Sequence, residues 1–330
     1  MPALNIFEDD AFGVTSLSVA INEQDSVPGR IGQLGFFREE GITTPSAFIE
    51  IEGESLSLVP AAERGAPGDP TNGNKRKAIP VKCVHLPTPG FIPADAVTGV
   101  RAFGSETDVQ LIQTVVNSRL AKMRRRLDAT IEFQRMGAIR GQILDADGTT
   151  VIVDLLQAFG VQKTTHAMAL STASTDVLAK VIEAKRKSEK KLGNAMATGF
   201  RVLCSPGFFD KFVGSDAVKA AWNFYNAQNR SDDLRAGFSF GKVIWEEYNA
   251  EVGGHAFIPD GKALLVPEGV PDMFITNYAP ADYVEVVGTI GLPFYAKQEL
   301  ARMGKGVELE AQSNPISYCS RPTSIVELSA

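Results

Sequence analysis

SETDVQLIQTVVNSRLAKMRRRLDATIEFQRMG, residues 105–137, is the longest uninterrupted helical pattern in the chain. Its apolar residues Val109, Ile112, Val116, Leu120, Met123, Leu127, Ile131 and Met136 recur mostly three or four apart, which gathers them on one stripe of a helix. Ser105 is placed to accept from the Asp108 N–H, and the acidic Glu106 and Asp108 complement the positive end of the helix dipole. No proline or glycine interrupts the run before Gly137, whose freedom to turn left-handed predicts the stop. The pattern predicts a helix of about 48 Å. A helix that long needs a broad surface to cover its stripe, and the flanking sequence must supply it.

The chain has 330 residues, of which 44% are hydrophobic and 22% charged, enough for a sizeable core. Length alone predicts about two domains. A formal net charge of -6 argues against a protein whose main task is to neutralise a nucleic-acid backbone, while leaving room for local basic patches. Cys83, Cys204 and Cys319 lie far apart without Cys-x-x-Cys spacing and read as small core residues in a reducing compartment. The acidic start MPALNIFEDDAFG lacks the basic and apolar regions of a signal peptide, and no run reaches the roughly 18 apolar residues of a membrane span. The expectation is a soluble intracellular protein.

Outward from the helix, the chain reads in blocks. Residues 12–22 predict a short helix, and Gly29, Gly32 and Gly35 then break regular structure. Their G-x-x-G-x-x-G spacing is not that of a phosphate-cradling loop, so a mobile or partner-bound arm is expected. Residues 43–87 predict a β-ribbon. Phe48 to Leu58 alternate on the way out, and Ile79, Val81, Cys83 and His85 share a face on the return. Between the arms lies a long Pro/Gly/Asn-rich loop with Arg64 at one end and Lys75, Arg76 and Lys77 at the other. A two-stranded ribbon has too little core to stand alone, so another subunit is expected to cover it.

Beyond the helix, GQILDADGTTVIVDLL predicts a hairpin turning at Asp147-Gly148, with an EF-hand excluded because its twelfth position is Leu156. Residues 165–290 mix helices and strands. Thr175 is a candidate cap before Val177, Leu178, Val181 and Ile182, and Lys185 to Lys191 read as a solvated basic face, with nucleic-acid or subunit contact as the alternative. Ser205 and Pro206 predict a capped helix, FSFGKVIWEEY a strand, and HAFIPDGKALLVPEG a strand–turn–strand bending at Asp260-Gly261. The tail carries two more strands, expected to pair with the 141–156 hairpin.

No catalytic constellation emerges. His85, His166 and His255 are isolated, Ser205 lacks a nucleophile-elbow context, and the neighbours Glu246-Glu247 and Asp232-Asp233 point to opposite faces of any strand. No cofactor or metal is expected. Arg124, Arg125 and Arg126 read as solvent-facing opposite the stripe, or as an inner-surface patch facing packaged nucleic acid.

The order of blocks, with FGVTSLSVAINEQDSVPGRIGQLGFF at 12–37, LVPAAERGAPG at 58–68, AFIPDGKALLVPEGVPDMFITNYAPADYVE at 256–285, GLPFYAKQE at 291–299 and LEAQSNPISYCSRPTSIVEL at 309–328, resembles the major capsid protein of tailed bacteriophages. The resemblance is to the lambda-like major capsid protein E family, with its Hong Kong 97-type α+β fold. It implies an N-terminal arm at 1–40, an extended loop at 41–92, and an axial α/β domain at 161–290. The peripheral domain would take 93–160 and 291–330, with 105–137 as spine helix. It implies a structural role rather than an enzymatic one: self-assembly as hexamers and pentamers into an icosahedral shell around phage double-stranded DNA, in the virion and built in the host cytoplasm. Further implied partners are a separate scaffolding protein, a portal and a decoration protein, with no membrane. Arg64, Lys75, Arg76 and Lys77, together with acidic Glu8, Asp9 and Asp10, are the candidate inter-subunit residues. The alternatives are an encapsulin-type cellular shell and, from another class, a soluble α/β enzyme.

Overall fold

The computed structural model describes residues 13–24, 29–52, 76–94, 108–172, 174–193, 195–228 and 234–330. The chain opens with helices α1 (Val14–Asn22) and α2 (Arg30–Leu34) and strand β1 (Arg38–Gly41). A ribbon follows, β2 (Ser46–Glu52) and β3 (Arg76–Lys82), then β4 (Leu86–Pro93) and the long helix α3 (Asp108–Arg140). Next come the hairpin β5 (Gln142–Leu144) and β6 (Val151–Asp154), helix α4 (Leu155–Phe159), strand β7 (Thr164–Ala167) and helix α5 (Val177–Leu192). Strand β8 (Gly199–Cys204) leads to α6 (Pro206–Gly214), α7 (Asp216–Gln228), β9 (Phe238–Phe240) and β10 (Val243–Glu247). The chain finishes with β11 (Glu251–Val252), β12 (His255–Ala256), β13 (Lys262–Glu268), β14 (Phe274–Tyr278), β15 (Tyr295–Leu300), β16 (Gly306–Ser313), β17 (Pro315–Cys319) and β18 (Val326–Ser329).

These elements gather into two units, each stitched from separate stretches of sequence: 1–47, 81–135 and 275–317 in the first, 48–80, 136–274 and 318–330 in the second. The grouping crosses the boundaries that the sequence predicts, because 136–160 and 318–330 go with 161–274, and 275–290 with the first unit.

In the first unit the apolar stripe of α3 meets a three-stranded antiparallel sheet in the order β15-β16-β4. Val116, Leu120, Met123, Leu127 and Ile131 are buried as predicted and cluster with Ile92, Ala296, Leu309 and Ala311 of the sheet. Gly90 permits the approach, since a Cβ there would lie 2.3 Å from the Met123 Cε. Residues 13–22 and 29–41 correct the expectation of a loose arm. Leu17 and Ile21 of α1 enter this same core, Ile31 of α2 is fully buried, and β1 runs parallel to β14 from Arg38↔Ile275 to Gly41↔Tyr278.

In the second unit a six-stranded sheet, β7-β18-β13-β8-β10-β9, carries α5, α6 and α7 on one face. Period-two alternation delivers Val202, Cys204, Val243, Trp245, Ala263, Leu265, Val326 and Leu328 to that face. Phe212 stacks on Trp245 with ring centroids 3.9 Å apart. Ser205 accepts from the Phe208 N–H ahead of α6, with Pro206 in the first turn as predicted. The cap of α5 is Asp176, accepting from the Ala179 N–H, while Thr175 bonds back to the Ala169 carbonyl.

Four further expectations are corrected. Helix α3 passes through Gly137 and ends at Arg140, ahead of Gly141 at φ 88°. Gly137 serves packing instead, because a Cβ there would lie 2.7 Å from the Gln142 carbonyl oxygen. The stretch 238–247 is a tight hairpin, not one strand, and β12 pairs with β11 rather than with β13. Finally, the tail leaves the β5–β6 hairpin as a sheet of its own: β16 pairs with β15 and β4, while β18 enters the six-stranded sheet between β7 and β13.

Candidate assembly surfaces

The first unit holds its own N-terminal segment through charged groups projecting from α3. The Glu132 carboxylate accepts from the Ile31 N–H at 2.6 Å and the Gly32 N–H at 3.2 Å, satisfying donors that the first turn of α2 leaves open. Gly29 leaves room for that carboxylate, since a Cβ would lie 2.3 Å from the Glu132 Cδ. Arg135 donates to Glu39, and its guanidinium lies 5.5 Å from the Phe37 ring. Glu39, Glu132 and Arg135, together with Asn22, Asp128 and Arg124, line a cavity of about 380 Å³. The Tyr278 phenol on its wall is pushed well above its ordinary pKa by burial and by the Glu39 charge.

Arg124 therefore corrects the reading of the arginine triplet. Its guanidinium bonds both Asp128 oxygens at 3.0 and 3.1 Å, donates to the Ile21 carbonyl at 2.8 Å and lies 3.7 Å over the Phe294 ring. It secures α1 to α3 and faces inward, whereas Arg125 and Arg126 are exposed. The triplet's register explains the split, because position 124 sits beside the buried Met123 and 127 stripe.

The β15-β16-β4 sheet turns its other face outward. Register rows across it read Glu299–Glu308–Phe91 and Lys297–Glu310–Pro89. Glu299 and Glu308 thus stand directly opposite one another, both exposed, and neither has a cationic partner among the described residues. Lys297 is taken by Glu285 at 2.8 Å, holding that carboxyl below the usual range, and lies 5.3 Å from the Tyr283 ring. Tyr283 donates to Glu310 at 3.0 Å. Phe91, 42% exposed, and Tyr283 bound an open groove of about 710 Å³ over these carboxylates. Sequence reading missed this surface: alternation puts Lys297 and Glu299 on one face, and Glu308 and Glu310 on another, but the pairing that unites them is long-range.

Among the inter-subunit candidates, Arg76 and Lys77 begin β3, while Glu8, Asp9, Asp10, Arg64 and Lys75 lie outside the described residues, as do Asp232 and Asp233. The basic run on α5 is only partly solvated. Lys185 lies 5.3 Å from the Phe200 ring, and Lys187 donates to the Thr165 carbonyl at 3.2 Å and to His166 Nδ1 at 3.1 Å. His85 is exposed and pairs with Asn314 at 2.8 Å. Glu246 is buried against Arg201, which also binds Glu268. Asp147 accepts from the Thr149 and Thr150 N–H groups and the Thr150 hydroxyl, the bonding of a turn. All three cysteines are free and buried, and burial pushes the Cys83 thiol up to about 11 and Cys319 up to about 12. Among the described residues no three His, Cys, Asp or Glu side chains gather as metal ligands, and no helix is long and apolar enough to cross a membrane.

A family model described as phage major capsid protein E matches residues 13–330. The major capsid protein of Pseudomonas phage KPP10 is 26% identical over 339 residues, covering 96% of each chain. That of Salmonella phage Felix O1 is 25% identical, covering 98% of this chain and 97% of its own. Among solved structures, the putative capsid protein of a prophage of E. coli CFT073 superposes with a TM-score of 0.59 at 14% identity, over 96% of this chain and 98% of its own. That likeness is one of fold.

Proposed function

The chain belongs to the phage major capsid protein E family and is a shell protein of a phage capsid, and on that premise we propose how it builds the shell. The carrying observation is the family match from residue 13 to 330, together with two near full-length relatives of that function. Copies associate as hexamers and pentamers that close into an icosahedral shell around double-stranded DNA, assembled in the host cytoplasm. The unit containing α3 and the β15-β16-β4 sheet is the peripheral domain, and the unit containing the six-stranded sheet is the axial domain. A separate scaffolding protein, a portal and a decoration protein complete the particle. The ribbon reaches a neighbouring copy. Each of its strands spans about 23 Å, and a free ribbon lacks the core to be stable in water. Repetition of one such head-to-tail contact generates a closed assembly, and many modest contacts per copy act together.

Light scattering coupled to size-exclusion chromatography, with electron microscopy of the largest fraction, tests this reading. Closed megadalton particles or capsomer-sized oligomers are expected. A stable dimer or tetramer indifferent to concentration overturns it. Reversing Lys75, Arg76 and Lys77 to Glu should abolish particles and leave the subunit folded; normal particles would refute the ribbon contact.

A further inference from the structure

We propose that the outward face of the β15-β16-β4 sheet, around Glu299 and Glu308, receives the basic ribbon segment Lys75-Arg76-Lys77 of a second copy of this chain. The inference rests on the shell-building reading above and names the surface that the ribbon meets. Directly opposed like charges on antiparallel strands oppose pairing. Glu299 and Glu308 nonetheless face one another across β15 and β16, with Phe91 as the next neighbour in the row. Glu310 sits one row along, and the one lysine of the face is already engaged by Glu285. The isolated chain therefore presents a negative, partly aromatic groove with unmatched charge.

The complementary charge lies in the same sequence. Residues 70–80, PTNGNKRKAIP, contain three consecutive cations and no Asp or Glu. In a chain whose net charge is -6, this acid-free segment and the acidic groove attract one another. The groove also suits the stems of long cationic side chains: Phe91 and Tyr283 line it beside the carboxylates, and Lys297 already lies 5.3 Å from the Tyr283 ring. Every copy carries both halves at different places, which makes the contact heterologous and able to propagate around a ring.

A charge-swap experiment on the full chain tests this. Glu299→Lys with Glu308→Lys keeps a like-charged pair at the same positions, so the subunit should retain wild-type melting behaviour. Particle yield should fall at least about tenfold, as it should for Lys75, Arg76 and Lys77 reversed to Glu. Combining both sets in one chain should restore most of the yield. As a second measurement, a Lys75→Cys copy mixed with a Glu308→Cys copy should form a crosslinked dimer under a short bismaleimide, because the native cysteines are buried. The proposal is overturned if the acidic-face variant assembles normally, if the combined variant folds yet stays unassembled, or if no intermolecular crosslink forms. Wild-type particles accompanied by any of these outcomes leave the shell reading intact, whereas a wild-type chain fixed as a small oligomer removes that reading itself.

Discussion

Glu132 joins two chain regions about a hundred residues apart with one carboxylate, so its loss should be costly. Glu132→Ala leaves the buried Ile31 N–H without an acceptor, and charge-assisted bonds of this kind contribute about 1.5–3 kcal/mol. Urea unfolding should show a loss of about that size, with a smaller one for Glu132→Gln, and hydrogen exchange should quicken first in α2. His166 makes a second prediction. It donates from Nε2 to the Lys180 carbonyl and accepts at Nδ1 from Lys187, so the folded ring is neutral. Burial, and then the Lys187 charge, hold its pKa below the ordinary 6.5. The unfolded chain therefore takes up this proton at higher pH than the folded one. The contribution is complete above pH 6.5 and is lost as pH falls through the folded pKa, at no more than about 1.4 kcal/mol per pH unit. Unfolding midpoints compared between pH 7.5 and 5.5 should show the slope, and His166→Gln should flatten it.

Gly137 sets two effects on an element against each other. Alanine in place of a mid-helix glycine gains about 1 kcal/mol of helix propensity. At Gly137 the new Cβ would press on the Gln142 carbonyl oxygen at 2.7 Å and the Ile143 Cα at 3.1 Å, and strain in such packing costs about 1–3 kcal/mol. Backbone cannot swing aside like a side chain, so Gly137→Ala should lower stability in a thermal melt. The β9–β10 turn runs the other way. Gly241 and Lys242 both take positive φ, 63° and 57°, and Lys242→Asn should stabilise by about 0.5 kcal/mol, read from the same melt. These two places also show why parts of the fold were hidden. The stripe of α3, the Asp147-Gly148 turn and the Ser205 cap were legible because each is written within a few residues. Gly137 reads like a helix stop because its reason lies in the backbone beyond the helix. Phe238, Phe240, Val243 and Trp245 read as one strand because an unremarkable Gly-Lys pair hides the turn.

The whole molecule is two units, each assembled from three stretches of chain, and no local pattern announces which stretches combine. The resemblance to capsid proteins carries the fold class, while the tail's strands pair elsewhere than their sequence suggests, because pairing register is decided by contacts far apart in sequence. The inward face of the β15-β16-β4 sheet was implied by the α3 stripe, while the acidic outward face appeared only once three distant strands were side by side. Placement of β18 carries a further prediction. Val326 and Leu328 are fully buried between β7 and β13, so removing residues 326–330 takes an interior strand from the sheet. The truncated chain should lose cooperative unfolding and accumulate in the insoluble fraction, whereas removing Ala330 alone should leave both properties near wild type. The same placement orders events on the ribosome. Residues 326–329 are translated after every other strand of their sheet, so in a nascent chain that sheet stays open until they emerge. A polypeptide broken off before Val326 lacks the strand between β7 and β13, and should therefore fail to join a growing shell.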